Sequence, residues 1–261
     1  AYSAHPLLRT VCVDRAFYSA LPEKDYRRYA SQVPADFRFV VKAPMAATSA
    51  ILRDNAGRLT DNPCFLDAGW AADTFVTPCA NGLGRKAGVM LFQFPPLGRR
   101  HSSNTRAFAK RLGAFLEALP HGAWTCAVEL RDRDLLTRSV LRAIHESGAR
   151  YCIGIHPRMP AVAAQAAAMG GLGAGPLVIR WNLHSGLRYD AARERYAPFD
   201  KLLDEDPDTR TSLGRLIAAH AKTGHPVYVI ANNKAEGSAP LTLLKLAEET
   251  VSQLRATQQR S

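Results

Sequence analysis

The amino-acid sequence predicts an α/β fold of the TIM-barrel type, in one domain that spans residues 1–261. Short apolar runs alternate with longer stretches of helical periodicity along the whole chain, which is the pattern of repeated β–α units. The length of 261 residues suits a single barrel domain. In addition, nearly every apolar run ends in a polar or charged residue, as expected where the carboxyl ends of strands form a site.

Seven apolar runs have the length and composition of buried parallel strands. They cover Thr10–Asp14, Phe37–Lys42, Gly88–Phe94, Thr125–Leu130, Arg150–Ile155, Leu177–Trp181 and Pro226–Ala231. A parallel barrel normally closes with eight strands, and Tyr2 to Leu8 has the pattern of the end of a helix. We therefore expect a (β/α)8-type fold whose first β–α unit is absent from this chain.

Apolar residues at a spacing near 3.6 predict helices between these strands. The predicted helices are Lys24–Gln32, Asn104–Leu119, Leu135–Ser147, Ala161–Met169, Thr211–Lys222 and Pro240–Leu254. The connection over residues 48–81 is long for a β–α loop, carries turn signals at Asn55–Gly57 and Asp61–Pro63, and is predicted to hold a helix around Cys64–Val76. This insertion is a candidate lid.

Another long connection contains the glycine-rich segment Gly170–Gly175. This segment precedes a strand, whereas a dinucleotide-binding loop follows one and opens a helix. It therefore predicts a helix end and a linker.

Composition narrows the class of protein. Lys and Arg number 34 against 23 Asp and Glu, and the resulting net charge of +11 favours anionic partners, either a small molecule or nucleic acid. The apolar runs are too short to cross a bilayer and the N-terminus has no signal-peptide pattern, so a cytoplasmic protein without membrane contact is predicted.

The five cysteines form no C-x-x-C pair, which favours reduced structural thiols, with Cys12, Cys126 and Cys152 on strands.

Polar residues at the strand ends are the candidate site. In a barrel these ends share one rim, where a substrate would bind. We predict Glu129 and Lys42 as catalytic residues and the following as substrate-binding residues: Asp14, Tyr18, Gln93, Arg131, Arg180, His184, Asn232 and Asn233.

Charge at this rim favours an anionic ligand. The formal charge of the rim is 3 − 2 = +1, from the cations Lys42, Arg131 and Arg180 and the anions Glu129 and Asp14. Guanidinium groups bind phosphate or carboxylate through paired hydrogen bonds, and a buried lysine can serve as an anion contact, as a base or as a Schiff-base former.

Two charged residues at the end of the fourth predicted strand form a candidate pair. Glu129 and Arg131 are two residues apart, so they point to the same side, either as a structural ion pair or as a positioned general base with its partner. A metal site built from Glu129, Asp14 and His156 or His184 is conceivable, but the cations at the same rim oppose it. We predict no metal and no cofactor, because the sequence carries no Walker, G-x-S-x-G or H-E-x-x-H motif.

Six motifs in order along the chain resemble those of the domain of unknown function 72 family, the YecE-like proteins. They are Val11–Pro22 (VCVDRAFYSALP), Phe37–Ala43 (FRFVVKA), Leu91–Pro96 (LFQFPP), Val128–Arg131 (VELR), Val178–Arg180 (VIR) and Val227–Asn233 (VYVIANN). The resemblance implies a barrel related in shape to sugar-isomerase and abasic-site-endonuclease barrels, and it implies no established reaction. Cys12 stands where the family usually has glutamate and Asp14 where it usually has asparagine, so a role of that glutamate does not transfer to this chain.

Three functions are consistent with the sequence. The leading one is binding or processing of an anionic, phosphorylated small molecule, with Lys42, Arg131 and Arg180 as the anion contacts, Glu129 as acid or base, and Gln93, Asn232 and Asn233 as orienting groups. The net charge and the implied endonuclease-like shape leave nucleic-acid binding or processing as an alternative. A non-catalytic scaffold is the third.

Overall fold

Seven parallel strands carry the fold. The structure, a computed structural model, describes residues 4–53, 57–171, 173–184 and 186–259. The strands in this part of the chain are β1 (Thr10–Val13), β2 (Arg38–Lys42), β3 (Ile51–Arg53), β4 (Leu59–Asp61), β5 (Ala87–Phe94), β6 (Thr125–Leu130), β7 (Arg150–Ile155), β8 (Leu177–Trp181) and β9 (Val227–Ala231). All except the antiparallel pair β3 and β4 pair in parallel.

The chain divides into two compact units, an N-terminal unit of residues 1–151 and a C-terminal unit of residues 152–261. In the N-terminal unit the strand order is β1-β2-β5-β6-β7, where β7 pairs with β6 through Arg150 and Tyr151. In the C-terminal unit the remainder of β7 pairs with β8, and β8 pairs with β9. The assignment of residues 1–261 to one domain stays a prediction.

At least one helix follows every parallel strand. The α-helices are α1 (Arg15–Tyr18), α2 (Glu23–Ser31), α3 (Met45–Thr48), α4 (Ala68–Ala71), α5 (Thr77–Leu83), α6 (Arg99–Ser102), α7 (Thr105–Glu117), α8 (Arg138–Glu146), α9 (Val162–Ala168), α10 (Tyr189–Tyr196), α11 (Pro207–Ala221) and α12 (Ala239–Gln258). Side-chain caps fix several of their starts. Asn104 Oδ1 accepts a hydrogen bond from the Ala107 amide at the start of α7, and Asp206 Oδ1 accepts one from the Thr209 amide at the start of α11.

The seven predicted strands and six predicted helices are all present, with ends displaced by a few residues. Of the predicted helix end at Tyr2–Leu8, residues 2 and 3 lie outside the described residues, and residues 4–8 contain no α-helix; there the His5 side chain accepts hydrogen bonds from the amides of Leu7 and Leu8. The predicted helix around Cys64–Val76 begins later and ends later, as α4, a π-helical turn (Ala72–Val76) and α5.

The insertion after β2 is anchored at its base. The Asn62 side-chain amide donates to the carbonyls of Ala46 and Ser49, at 2.6 Å each, and its oxygen accepts from the Cys64 amide. The hairpin of β3 and β4 lies between these anchors. Further along the insertion, α5 packs on α2. Of the predicted turn at Asn55–Gly57, residues 55 and 56 lie outside the described residues. The lid role stays a prediction.

Aromatic contacts show which face of the sheet the helices cover in the N-terminal unit. Phe92 of β5 makes an edge-to-face contact with Phe115 of α7, and Phe94 makes one with Phe108 of the same helix. Because neighbouring residues on a strand point to opposite sides, Gln93 lies on the face away from α7.

An ion pair and a hydrogen bond join the loop before α11 to α10 in the C-terminal unit. Asp204 accepts hydrogen bonds from Arg195 at 2.6 Å and from the Tyr196 hydroxyl at 2.8 Å. Burial raises the pKa of Asp204, but these two hydrogen bonds outweigh it, so the pKa lies below its ordinary value.

This depressed pKa predicts acid sensitivity. Asp204 stabilises the fold fully at pH values above its unfolded-state pKa near 3.8, and the contribution disappears as the pH falls through the lower folded-state pKa. The Asp204→Asn variant should therefore be less stable than wild type by about 1 kcal/mol at pH 6, and this difference should shrink below pH 4. Thermal unfolding between pH 6 and pH 3 measures it. Asp200→Asn, at an exposed position, is the control, and a difference that does not change with pH would contradict the assignment.

Candidate functional site

A buried ion pair stands at the carboxyl end of β6. Glu129 is fully buried, and the Arg131 side chain is 13% exposed, with its Nε 2.6 Å from Glu129 Oε1. The two residues flank Leu130 on extended backbone and point to the same side, as the sequence predicted. A carboxylate without exposure needs such a partner to remain charged, so the pair both stabilises the strand end and orients the guanidinium.

Gln93 links this pair to β5. Glu129 is the ladder partner of Gln93, and Arg131 Nη2 donates a hydrogen bond of 3.4 Å to Gln93 Oε1. The backbone amide of Arg131 also donates to the Phe94 carbonyl at 3.0 Å, which extends the ladder by one residue. The guanidinium is therefore held by two adjacent strands.

Lys42 lies on the same face, deeper along the strands. Its ladder partner is Leu91, which lies two residues before Gln93 on β5, so Lys42 lies about 7 Å below Gln93 along the strand direction. The residue is 9% exposed, and its Nζ lies 3.5 Å from the centroid of the Phe17 ring in α1. A cation over an aromatic face is stabilised by the quadrupole of the ring.

Register places the four residues Lys42, Gln93, Glu129 and Arg131 on one face of the N-terminal unit, the face away from α7. We name this group the rim cluster. Its formal charge is 2 − 1 = +1 from Lys42, Arg131 and Glu129.

Asp14 and Tyr18 lie at the end of β1 and in α1. Asp14 is exposed, and its Oδ1 accepts a 3.3 Å hydrogen bond from the Cys12 thiol. Tyr18 is 82% exposed, and its ring contacts Phe17 edge-to-face. Both are thus at the solvent side of the N-terminal unit, and their substrate-binding roles stay predictions.

Four predicted site residues belong to the C-terminal unit. Arg180 is 4% exposed near the end of β8, and its ladder partner on β7 is Gly154. His184 follows β8, and its backbone amide donates to the Lys234 carbonyl. Their binding roles stay predictions.

The two asparagines after β9 form a turn. Asn232 Oδ1 accepts from the Lys234 amide, and Asn233 Oδ1 accepts from the Ala239 amide at the start of α12. These oxygens therefore shape the β9–α12 connection, while the orienting role of the two side chains stays a prediction.

Sequence reasoning missed Phe17 and Lys234. Phe17 supports Lys42 in the N-terminal unit, and in the C-terminal unit Lys234 Nζ lies 4.2 Å from the centroid of the Tyr189 ring. No regular spacing in the sequence predicts either contact, because each contact joins residues from separate elements. The motif VCVDRAFY, which contains Phe17, was the available indication.

Two of the cysteines have thiols whose pKa is raised by burial. Burial raises the pKa of the Cys126 thiol to about 12 and that of the Cys79 thiol far above its ordinary value, so both stay protonated near neutral pH. Cys12, Cys126 and Cys152 lie on strands, as predicted.

In the described residues no group of three or more His, Cys, Asp or Glu side chains is placed to hold a metal ion, and no helix there is long and apolar enough to cross a membrane.

Comparison with solved structures supports the fold. A DUF72 family protein from Enterococcus faecalis V583 matches with a TM-score of 0.65 and 17% identity, over 93% of this chain and 85% of that chain. A DUF72 family protein from Thermotoga maritima MSB8 matches with a TM-score of 0.60 and 18% identity, over 92% of this chain and 84% of that chain. A search of curated proteins gave no match.

The parallel strand order, the helices between the strands and these likenesses define the class: a TIM-barrel-like α/β protein, as the sequence predicted. The sequence also matches the family described as "Protein of unknown function DUF72" over residues 1–261. The chain belongs to the DUF72 family, and the predicted resemblance is confirmed.

Proposed function

We propose that the chain binds an anionic small molecule, carrying a phosphate or carboxylate group, at the carboxyl ends of β2, β5 and β6. The observation that carries the proposal is the rim cluster, in which two cations and one carboxylate lie on one face of three adjacent strands with little exposure. Removing this excess positive charge from water is costly unless an anion or a hydrogen-bonding partner compensates it.

Arg131 is the main contact in this proposal. A guanidinium has five N–H donors, of which one on Nη2 donates to Gln93, while Nε lies 2.6 Å from Glu129 Oε1 as an ion pair. The remaining three donors, two on Nη1 and one on Nη2, have no partner among the described residues. A phosphate or carboxylate accepts two parallel hydrogen bonds from such a fork.

Lys42 supplies the second positive charge. Successive strands lie about 4.8 Å apart, so β2 and β6 are about 10 Å apart, which two long side chains can bridge around one small anion. The Phe17 ring fixes the direction of the ammonium group without neutralising its charge. Gln93, between the two cations, orients the ligand.

Glu129 is the candidate acid or base of the same site. Its carboxylate is beside the anion-binding guanidinium, where it could exchange a proton with a bound ligand. Arg180, Asn232 and Asn233 are assigned to binding in the C-terminal unit on the basis of their strand-end positions alone.

Inorganic phosphate tests the proposal. Phosphate at increasing concentration should raise the thermal unfolding midpoint of the wild-type chain, at constant ionic strength set with sodium chloride, because a ligand that binds only the folded state stabilises it. The Lys42→Gln variant should lose most of this rise. Phosphorylated sugars and simple carboxylates, titrated in the same way, would then rank the ligand class.

The control is Lys24→Gln, which removes the same charge at an exposed position of α2. It should respond to phosphate as the wild type does. An equal response from the Lys42→Gln variant, with its fold verified by circular dichroism, would refute binding at the rim cluster.

A further inference from the structure

A second feature of the N-terminal unit lies on its helical surface. A groove of about 1040 Å³ runs between α7 and α8, and its floor consists of small residues, among them Ala109, Gly113, Ala114 and Ala143. An added Cβ at Gly113 would lie 3.6 Å from Ala143 Cβ, so the two helices are in ordinary van der Waals contact at this floor. Large side chains from either helix do not fill the space above it.

Charge is distributed unevenly along this groove. Helices α7 and α8 each connect one parallel strand to the next, so they run in the same direction, and both begin at the carboxyl ends of the strands. Arg106, Lys110, Arg138 and Arg142 line the first half, while Glu117 and Glu146 line the second. The groove is thus basic at one end and acidic at the other.

Most of these cations lack a counter-ion among the described residues. Arg142 pairs with Glu146 at 3.3 Å, but Arg106, Lys110 and Arg138 are exposed and have no ion-pair partner within the part of the chain that the structure describes. The two helix N-termini add positive dipole charge at the same end. Three uncompensated cations together, rather than scattered, define a surface for a partner with negative charge.

Shape and charge together select the class of partner. A floor of alanine and glycine admits the close approach of another helix backbone, and a groove from Arg106 to Glu117 is about 17 Å long, or three helical turns. A nucleic-acid backbone would bring phosphates against Glu117 and Glu146 as well as against the basic end. A helix with acidic residues toward one end and basic residues toward the other matches both ends.

We propose that the α7–α8 groove binds an amphipathic helix of a partner protein, with the acidic end of that helix against Arg106, Lys110 and Arg138. The small apolar face of the bound helix covers Ala109, Gly113 and Ala143. The charges set the orientation, and exposed lining residues, Ala114 among them, contribute the buried area, since Ala109 and Gly113 are already buried.

A peptide with these properties tests the proposal on the full chain. The probe is a fluorescein-labelled helical peptide of about 14 residues, with an alanine- and leucine-rich face, glutamates toward one end and lysines toward the other. Fluorescence anisotropy should show saturable binding to wild type and a loss of about tenfold or more in the variant Arg106→Glu, Lys110→Glu and Arg138→Glu. A peptide with lysines at both ends should bind this variant, whose groove is acidic at both ends, better than wild type.

The control variant carries Lys24→Glu, Arg85→Glu and Lys222→Glu, which changes the net charge equally at exposed positions outside the groove. It should bind the peptide as the wild type does. Failure of the probe to bind wild type, or equal losses in both variants, would overturn the proposal. A single-stranded oligonucleotide would assign the groove to nucleic acid instead if it bound wild type, competed with the peptide and failed to bind the groove variant. This result would also overturn the proposal.

Discussion

Replacing Arg131 with methionine is expected to lower the free energy of unfolding by about 3 kcal/mol. Glu129 is fully buried and its carboxylate is 2.6 Å from Arg131 Nε, so the variant leaves a buried negative charge with one partner fewer. Methionine keeps much of the volume of the arginine stem, which limits the effect of lost packing. Equilibrium unfolding in urea at pH 7 measures the change.

Two further variants separate the ion pair from general damage. Arg133→Met removes an exposed guanidinium two residues away and should change stability by less than about 0.5 kcal/mol. Combining Glu129→Gln with Arg131→Met removes the buried charge and should recover part of the loss. A loss below 1 kcal/mol in the single Arg131 variant would show that Glu129 does not depend on this partner.

The Gly82→Ala substitution is expected to destabilise the N-terminal unit by about 2 kcal/mol. A Cβ at this position of α5 would lie 2.6 Å from the Glu23 carbonyl oxygen of α2 and still closer to Tyr26 Cβ. Backbone cannot move aside as a flexible side chain can, so α5 and α2 must separate. Thermal and urea unfolding both report the change.

Gly113→Ala in α7 is the matched control. Its Cβ would meet Ala143 at 3.6 Å, an ordinary contact, and alanine is favoured over glycine in a helix by up to about 1 kcal/mol. This variant should therefore be as stable as wild type or more so. If the two alanine variants had the same stability, the close packing of α5 on α2 would be contradicted.

The sequence alone predicted all seven parallel strands because each of them is a short, mostly apolar run, including the half-buried β1 and β9. Helix α10 (residues 189–196) was not predicted, because only Ala192 and Tyr196 of this helix are buried, which is too few for a recognisable apolar stripe. The hairpin of β3 and β4 escaped for a similar reason, since its strands have three residues each and are largely exposed.

The candidate site was predictable in outline and not in detail. Alternation along β6 was enough to place Glu129 and Arg131 on one side, and the ion pair confirms that geometry. The contact between Lys42 and Phe17 depends on how α1 follows β1, which no local pattern specifies. The oxygens of Asn232 and Asn233 form turn hydrogen bonds, so a polar residue at a strand end can have a structural role that its position does not reveal.

Crystals grown in inorganic phosphate test anion binding at the rim cluster, because they locate an anion relative to named atoms. We expect a phosphate within hydrogen-bonding distance of the Arg131 guanidinium and of Lys42 Nζ. A cation bound at Glu129, or a rim cluster whose remaining Arg131 donors face other protein groups with no anion present, would contradict it.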